Sequence, residues 1–381
     1  MIQISSKLPS GDTTIFTEMS ALAQQYQAIN LGQGFPDFDP PADLIRCVQV
    51  TTALHHHQYA PMAGDITLRK VISQKVALCY GSSYDPVSEI TVTAGATQGL
   101  FTAISAFVRS GDEVIIFEPA YDSYTPSIVL AGGKVVPFRL HGPEFDIDWH
   151  KVAQLVNEKT RMIIINTPNN PTGTVFTQDD WQALDLLVAG TPIIILSDEV
   201  YEHLVYDGQS HESVLKYPNL KERSVAAFSF GKTFHCTGWK IGYCVGTESL
   251  MQEFRKIHQW NVFSVNSVFQ IALARYLADP EKYQNISEFY QAKRDYFKAI
   301  LQNTLFKPLE VKGTCFQLCD YSAYSDVDDR SFAKEMVTKY GVAAIPLSPF
   351  YGSGSNEKII RFCFAKTESL MDEAGERLCR I

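Results

Sequence analysis

Six short apolar runs punctuate the chain between residues 89 and 230: EITVT (89–93), EVIIF (113–117), KVVPFRL (134–140), MIIIN (162–166), PIIIL (192–196) and VAAFSF (225–230). Apolar runs without alternation suit strands covered on both faces. Between them lie stretches of helical character at 96–110, 121–131, 148–157 and 177–189, the first with Leu100, Ile104 and Phe107 at helical spacing. The order βαβα predicts an α/β fold built on a doubly wound, mostly parallel sheet. KIGYCVG (240–246) reads as a further strand.

After about residue 265 the pattern changes. A helical region covers 281–303, followed by a strand (TCFQLCDY, 314–321), a helix (329–339), the extended segment VAAIPLSPF, a strand (KIIRFCFA, 358–365) and a last helix. This predicts a smaller α+β lobe. The length of 381 residues agrees with two lobes, because a single core usually stops growing at roughly 250–300 residues.

Charge and cysteine usage narrow the class. Lys and Arg number 33 against 42 Asp and Glu, a formal net charge of −9, which argues against a nucleic-acid or anionic-membrane surface. The eight cysteines form no C-x-x-C pair and read as free thiols of a reducing compartment. MIQISSKLPSGDTT lacks a charged stretch followed by an apolar core, so no signal peptide is expected. No apolar run approaches the roughly 18 residues that span a bilayer. A cytoplasmic location is expected.

In open α/β sheets ligands bind at the carboxyl ends of the strands. After 89–93 comes Ala94-Gly95-Ala96-Thr97-Gln98, opening a helix; small residues there let backbone N–H groups approach an anion. The next strand ends bring Thr167-Pro168-Asn169-Asn170-Pro171-Thr172-Gly173, then Ser197-Asp198-Glu199-Val200-Tyr201, then Gly231-Lys232. Each alone has a plainer reading as a cap, a turn or a surface charge. His55-His56-His57 has no carboxylate or cysteine at ligand spacing, so no metal site is expected. Gly231-Lys232-Thr233 mimics the end of a phosphate-binding P-loop, but the first glycine of that motif would fall at Ala226. Together, an imine-forming lysine, an aspartate for a pyridinium nitrogen and a phosphate cradle describe a pyridoxal 5′-phosphate (PLP) site.

These segments carry a resemblance. Leu31-Gly32-Gln33-Gly34-Phe35-Pro36-Asp37-Phe38, Gln58-Tyr59-Ala60-Pro61 with Gly64, Asn169-Asn170-Pro171-Thr172-Gly173, Ser197-Asp198-Glu199-Val200-Tyr201, Ser229-Phe230-Gly231-Lys232-Thr233-Phe234 and Arg361-Phe362-Cys363-Phe364 occur in order. The chain resembles the class I/II, fold-type I PLP-dependent aminotransferases from end to end. Within them it is similar to the methionine and kynurenine–oxoglutarate aminotransferase branch. The resemblance implies an N-terminal arm (1–35) joined to a small domain, a large PLP-binding domain (36–279) and a small C-terminal domain (280–381).

The resemblance also implies roles. Lys232 matches the lysine that carries the cofactor, and Lys240 the basic residue that pairs with its phosphate. Many family members have arginine at Lys240; lysine keeps the charge without the two-pronged hydrogen bond, so Ala96, Thr97 and Ser229 should share the phosphate. Asp198 should pair with the ring nitrogen, Asn170 and Tyr201 with the ring oxygen, and Tyr121 should stack on the ring. Tyr59 matches a residue given to the phosphate site by the other subunit, which implies a homodimer with shared active sites. Arg361 and the Gly34 backbone should hold the substrate carboxylate, and Phe16 and Phe263, with Tyr59 and Tyr121, should line an aromatic side-chain pocket. Cis peptides are expected at Glu118-Pro119 and Asn170-Pro171. The implied reaction is transamination between an amino acid with an uncharged side chain, methionine or aromatic, and a 2-oxo acid. Two other outcomes keep the same cofactor: cysteine-conjugate β-elimination, and a non-catalytic PLP sensor, which would need a further DNA-binding domain ahead of the first motif.

Overall fold

The computed structural model describes residues 2, 5–8, 13–355 and 357–381. Its centre is a seven-stranded sheet in the order Ile90–Thr93, Gly242–Gly246, Ser224–Ser229, Ile194–Asp198, Thr160–Asn166, Glu113–Glu118, Lys134–Arg139. Only Gly242–Gly246 runs against its neighbours; the other pairings are parallel. The unbroken apolar runs are explained by the two cores they serve. Ile163, Ile165, Ile195 and Phe228 belong to one buried cluster, while Ile164, Leu196, Ala227 and Cys244 belong to a second on the opposite face. Successive strand residues point to opposite faces, so a sheet covered on both sides needs apolar residues at every position.

The mostly parallel α/β sheet agrees with the expectation from sequence, and the expected strand at 240–246 is present but antiparallel. Some helices differ in extent. The stretch 148–157 yields only Trp149–Ala153. The region 281–303 divides at Asn285 into Glu281–Gln284 and Ile286–Leu301. The helix expected at 329–339 is Asp329–Glu335, continued by a π-turn, Met336–Tyr340. VAAIPLSPF breaks into two-residue strands, Val342–Ala343 and Ile345–Pro346, and a 3₁₀ turn. Both expected cis peptides occur, at Glu118-Pro119 and Asn170-Pro171, with two more at Gly142-Pro143 and Thr167-Pro168.

A four-stranded antiparallel sheet orders Ile345–Pro346, Ile359–Cys363, Phe316–Asp320 and Lys307–Pro308. Near the start of the chain, Ile29–Asn30 pairs in parallel with Val342–Ala343. The following backbone stays close: Leu31 N–H bonds Ala343 O at 3.0 Å, and Cys363 N–H bonds Leu31 O at 2.7 Å. This lays residues 32–34 between Arg361 of the antiparallel sheet and Lys232 of the parallel one.

Candidate active site

Register assembles the site. Asn166 stands opposite Asp198, and Asp198 opposite Ala227, two residues before Ser229. On the other side, Gly242 pairs with both Thr93 and Ser229. It therefore lies under two strand ends at once and brings Lys240 to the turn that follows Thr93. Only glycine fits there: a Cβ at 242 would lie 2.5 Å from Phe228 O and 3.0 Å from Ala96 N.

That turn has the form of an anion-binding site. Gly95 has φ +78°, the helix Ala96–Phe107 begins with no side-chain cap, and its first residues, Ala96 and Thr97, line the cavity. Lys240, itself left-handed at φ +54°, reaches over it; a Cβ on Gly95 would sit 3.3 Å from Lys240 Nζ. Thr97 and Ser229 line the same cavity.

The cavity measures about 240 Å³ and runs from this cradle to Arg361. Asp198 lies buried on its floor. Tyr124 donates to Asp198 Oδ2 at 2.6 Å, and Asn166 Nδ2 donates to the Asp198 carbonyl at 3.0 Å. Burial raises the Asp198 carboxyl to about 6, against the opposing effects of the Tyr124 and Val200 hydrogen bonds and of Lys232. Lys232 projects from the turn after Ser224–Ser229 and donates to Gly34 O at 2.6 Å. Burial depresses its ammonium, and Arg361 and Lys240 add to the effect. Cys315 and Cys363 oppose the shift, whose net direction is toward the nucleophilic amine.

Arg361 is buried in the middle of Ile359–Cys363. It donates to Asn170 Oδ1 at 2.6 Å and to Gly32 O at 2.9 Å. Its guanidinium stacks on Phe316 at 3.9 Å from the ring centroid and lies 5.2 Å from Phe16. Its Nε is buried with no partner. A buried donor without an acceptor is costly, and Arg361 lines the cavity, where its guanidinium suits a carboxylate.

Among the residues expected from sequence, Phe16, Gly34, Ala96, Thr97, Tyr121, Asn170, Asp198, Tyr201, Ser229, Lys232, Lys240 and Arg361 all line this one cavity. Tyr59 and Phe263 do not. They pack edge to face, 5.2 Å between centroids, on the surface, 80% and 58% exposed. Asn166, Thr237 and Phe316 line the cavity without having been singled out. Asn166 ends the MIIIN run, and its place at a strand end was the available signal; Phe316 inside TCFQLCDY reads as ordinary core. Among the described residues, no group of three or more His, Cys, Asp or Glu is placed to hold a metal ion.

The arrangement fits PLP. The uncapped helix start with Lys240 and Ser229 suits a phosphate, the buried Asp198 suits a pyridinium, Lys232 brings an amine to the same cavity, and the Arg361 guanidinium suits a carboxylate. The comparisons with known proteins agree. Residues 26–378 match the family Aminotransferase class I and II. A methionine aminotransferase of Escherichia coli (strain K12) is 52% identical over 374 residues, covering 98% of this chain and 97% of that protein. Kynurenine–oxoglutarate transaminase 1 of Mus musculus is 33% identical over 408 residues, covering 98% and 96%. A crystal structure from Escherichia coli, described as having a methionine aminotransferase function, superposes with a TM-score of 0.98 at 50% identity and full coverage of both chains. With site, fold and relatives in accord, the chain belongs to the class I and II aminotransferases and is a PLP-dependent transaminase.

Proposed function

We propose that the protein transfers the amino group of methionine, and of aromatic amino acids, to 2-oxo acids. The observation that carries this reading is the lining of the cavity. Its cationic side chains are Lys232, Lys240 and Arg361 alone among the described residues. With Lys232 and Lys240 assigned to the cofactor, one guanidinium remains, enough for an α-carboxylate and not for a second, distal one. Around Arg361 stand Phe16, Phe316 and Phe350, apolar faces that suit an uncharged side chain. The 52% identity to a methionine aminotransferase supports the same donor.

The site residues then divide the work. PLP supplies an electron sink for the charge that develops at substrate Cα. Lys232 would hold the cofactor through its amine, and as a free amine it would take the proton from substrate Cα. Asp198 would keep a proton on the ring nitrogen. Asn170 and Tyr201 would hold the ring oxygen, Tyr121 would cover the ring face, and Ala96, Thr97, Ser229 and Lys240 would bind the phosphate. Arg361 and Gly34 orient the substrate carboxylate. The exposed Tyr59–Phe263 pair supports a homodimer in which each copy completes its partner's site. The separate sheets support division into an arm (1–35), a large domain (36–279) and a small domain (280–381). All eight cysteines are free and, among the described residues, no helix is long and apolar enough to cross a membrane; both support a cytoplasmic enzyme. The acidic balance supports a protein without nucleic-acid or membrane partners.

The test is kcat/KM for methionine, phenylalanine and aspartate on the parent and on Arg361→Ala. Methionine and phenylalanine should exceed aspartate in the parent. Arg361→Ala should lower every donor, by on the order of a hundredfold for a lost charge-assisted contact. A parent that prefers aspartate would overturn the pocket reading, and a variant impaired toward one donor only would overturn the role of Arg361.

A further inference from the structure

We propose that Tyr124 is a positioning residue that keeps the proton shared between Asp198 and the cofactor on the ring nitrogen. This rests on the reading of Asp198 given above. Tyr124 is the first residue of the helix Tyr124–Leu130, is buried, and donates its hydroxyl hydrogen to Asp198 Oδ2 at 2.6 Å. No other side-chain donor to that carboxylate is found among the described residues; the remaining contact, Val200 N–H to Oδ1, is long at 3.4 Å. One oxygen is thus fixed by Tyr124, and the other has only this long contact, on a residue that lines the cavity.

A carboxylate buried here would otherwise hold its own proton. If it did, a pyridine nitrogen facing it would accept a hydrogen bond from a neutral acid and remain uncharged. A donor on the second oxygen stabilises the anion and lowers its proton affinity. The other titratable groups facing Asp198 do not replace it. Glu199 opposes ionisation, and its own carboxylate is engaged by Ser197, His211 and Val214 N–H on the far side. Tyr121, Tyr201 and Cys244 lie near the carboxylate as neutral groups. Lys232 favours the anion, but burial works against its own charge and its amine would be taken up in holding the cofactor. Burial and Asp198 push the Tyr124 hydroxyl well above its ordinary range, so it remains a donor throughout the working pH.

Local packing makes the arrangement rigid. Tyr124 N–H bonds Tyr121 O at 3.2 Å, and the two rings meet edge to face at 5.7 Å and 81°. One turn therefore carries both the aromatic expected over the cofactor ring and the donor behind its aspartate. Tyr124 also lines a second cavity of about 120 Å³, which shares Asn166 with the active-site cavity. Phenylalanine would keep that wall and remove only the hydroxyl.

The test uses holoenzyme reconstituted with PLP labelled at the ring nitrogen, whose NMR shift reports protonation, together with steady-state kinetics. In the parent the nitrogen should be protonated. In Tyr124→Phe the signal should move toward the unprotonated form, and kcat should fall on the order of tenfold or more with little change in KM for methionine. In an Asp198→Asn background, Tyr124→Phe should have little further effect on either readout. A folded Tyr124→Phe enzyme whose ring nitrogen stays protonated would overturn the proposal, whatever its kcat. So would equal losses of kcat in both backgrounds, which would mark a packing effect. The underlying reading of Asp198 fails separately, if Asp198→Asn alone leaves the nitrogen protonated.

Discussion

Asp198 and Lys232 feel the same burial with opposite consequences, because desolvation penalises whichever form is charged. The carboxyl is raised to about 6 and the amine is depressed. For the apoprotein this has a cost that can be measured. Below the ordinary Asp value of 3.8 the carboxyl is protonated in folded and unfolded chains alike. Between 3.8 and about 6 the folded chain holds the proton more tightly, so rising pH removes stability; above 6 the loss is complete, at about 3 kcal/mol. Other groups titrate in that window, since burial lowers His203 to about 3 and His235 and His258 to about 4, and these lose stability as pH falls. The comparison must therefore be a difference. Apo Asp198→Asn should melt above apo parent at pH 7 and match it near pH 4, while the holo variant loses activity. An apo variant no more stable than the parent at pH 7 would contradict the burial argument. At this scale the sequence was informative where chemistry needs a residue type at a strand end: Asp198, Lys232 and Asn170 stood out. Tyr124 and Phe316 did not, because a buried aromatic that orients a neighbour has the same local signature as one that only packs.

The segment Ser197–Glu202 is held by a buried polar network as well as by strand pairing. Glu199 accepts from Ser197 Oγ at 2.7 Å, Val214 N–H at 3.0 Å and the His211 ring at 2.8 Å. Glu202 pairs with Lys75 Nζ at 2.6 Å and accepts from the Tyr80 and Tyr243 hydroxyls. Burial alone would raise the Glu202 carboxyl, but Lys75, His203 and the hydrogen bonds hold it at about 2. Tyr201, expected at the cofactor oxygen, sits between these two anchors. Removing one partner of a buried pair costs about 3–5 kcal/mol, so Lys75→Met should show a loss of that size in denaturant unfolding, with weakened cofactor binding because Tyr201 loses its support. Lys75→Met combined with Glu202→Leu should recover part of the stability. A loss below about 1 kcal/mol in Lys75→Met would show that the pair is dispensable. The network also explains what was illegible in the sequence. The helix Ile66–Tyr80 buries Arg69 and Lys75 beside Leu68, Ile72 and Val76, which blurs the apolar stripe, and neither it nor Ile15–Gln25 and Ala42–Ala53 was assigned. The central strands were legible because both of their faces are apolar, and the reversed direction of Gly242–Gly246 was not, since direction is a property of pairing.

At the scale of the whole molecule, one chain accounts for the cradle, the lysine, the aspartate and the arginine, and leaves Tyr59 and Phe263 outside. Trp260 is also exposed near Phe263 in sequence, at 84%. Three large aromatics in solvent are costly to leave uncovered, and a second copy that covered them could bring Tyr59 to its partner's phosphate cradle. In a two-fold dimer the same contact occurs twice, so each site would combine Lys232 of one chain with Tyr59 of the other. This makes complementation a direct test. Lys232→Ala alone should be inactive, with no chain left to hold the cofactor, and Tyr59→Ala alone should be impaired at both sites. A mixed dimer places both substitutions in one site and leaves the other site native. Equal amounts of the two variants, unfolded and refolded together, should give about half mixed dimers with one working site in two, and so roughly a quarter of the parent activity. The measure is kcat at subsaturating PLP, where loss of a phosphate contact is most visible. Activity no greater than the sum of the two separately refolded variants would show that Tyr59 serves its own chain or none. Recovery toward a quarter would place it across the interface.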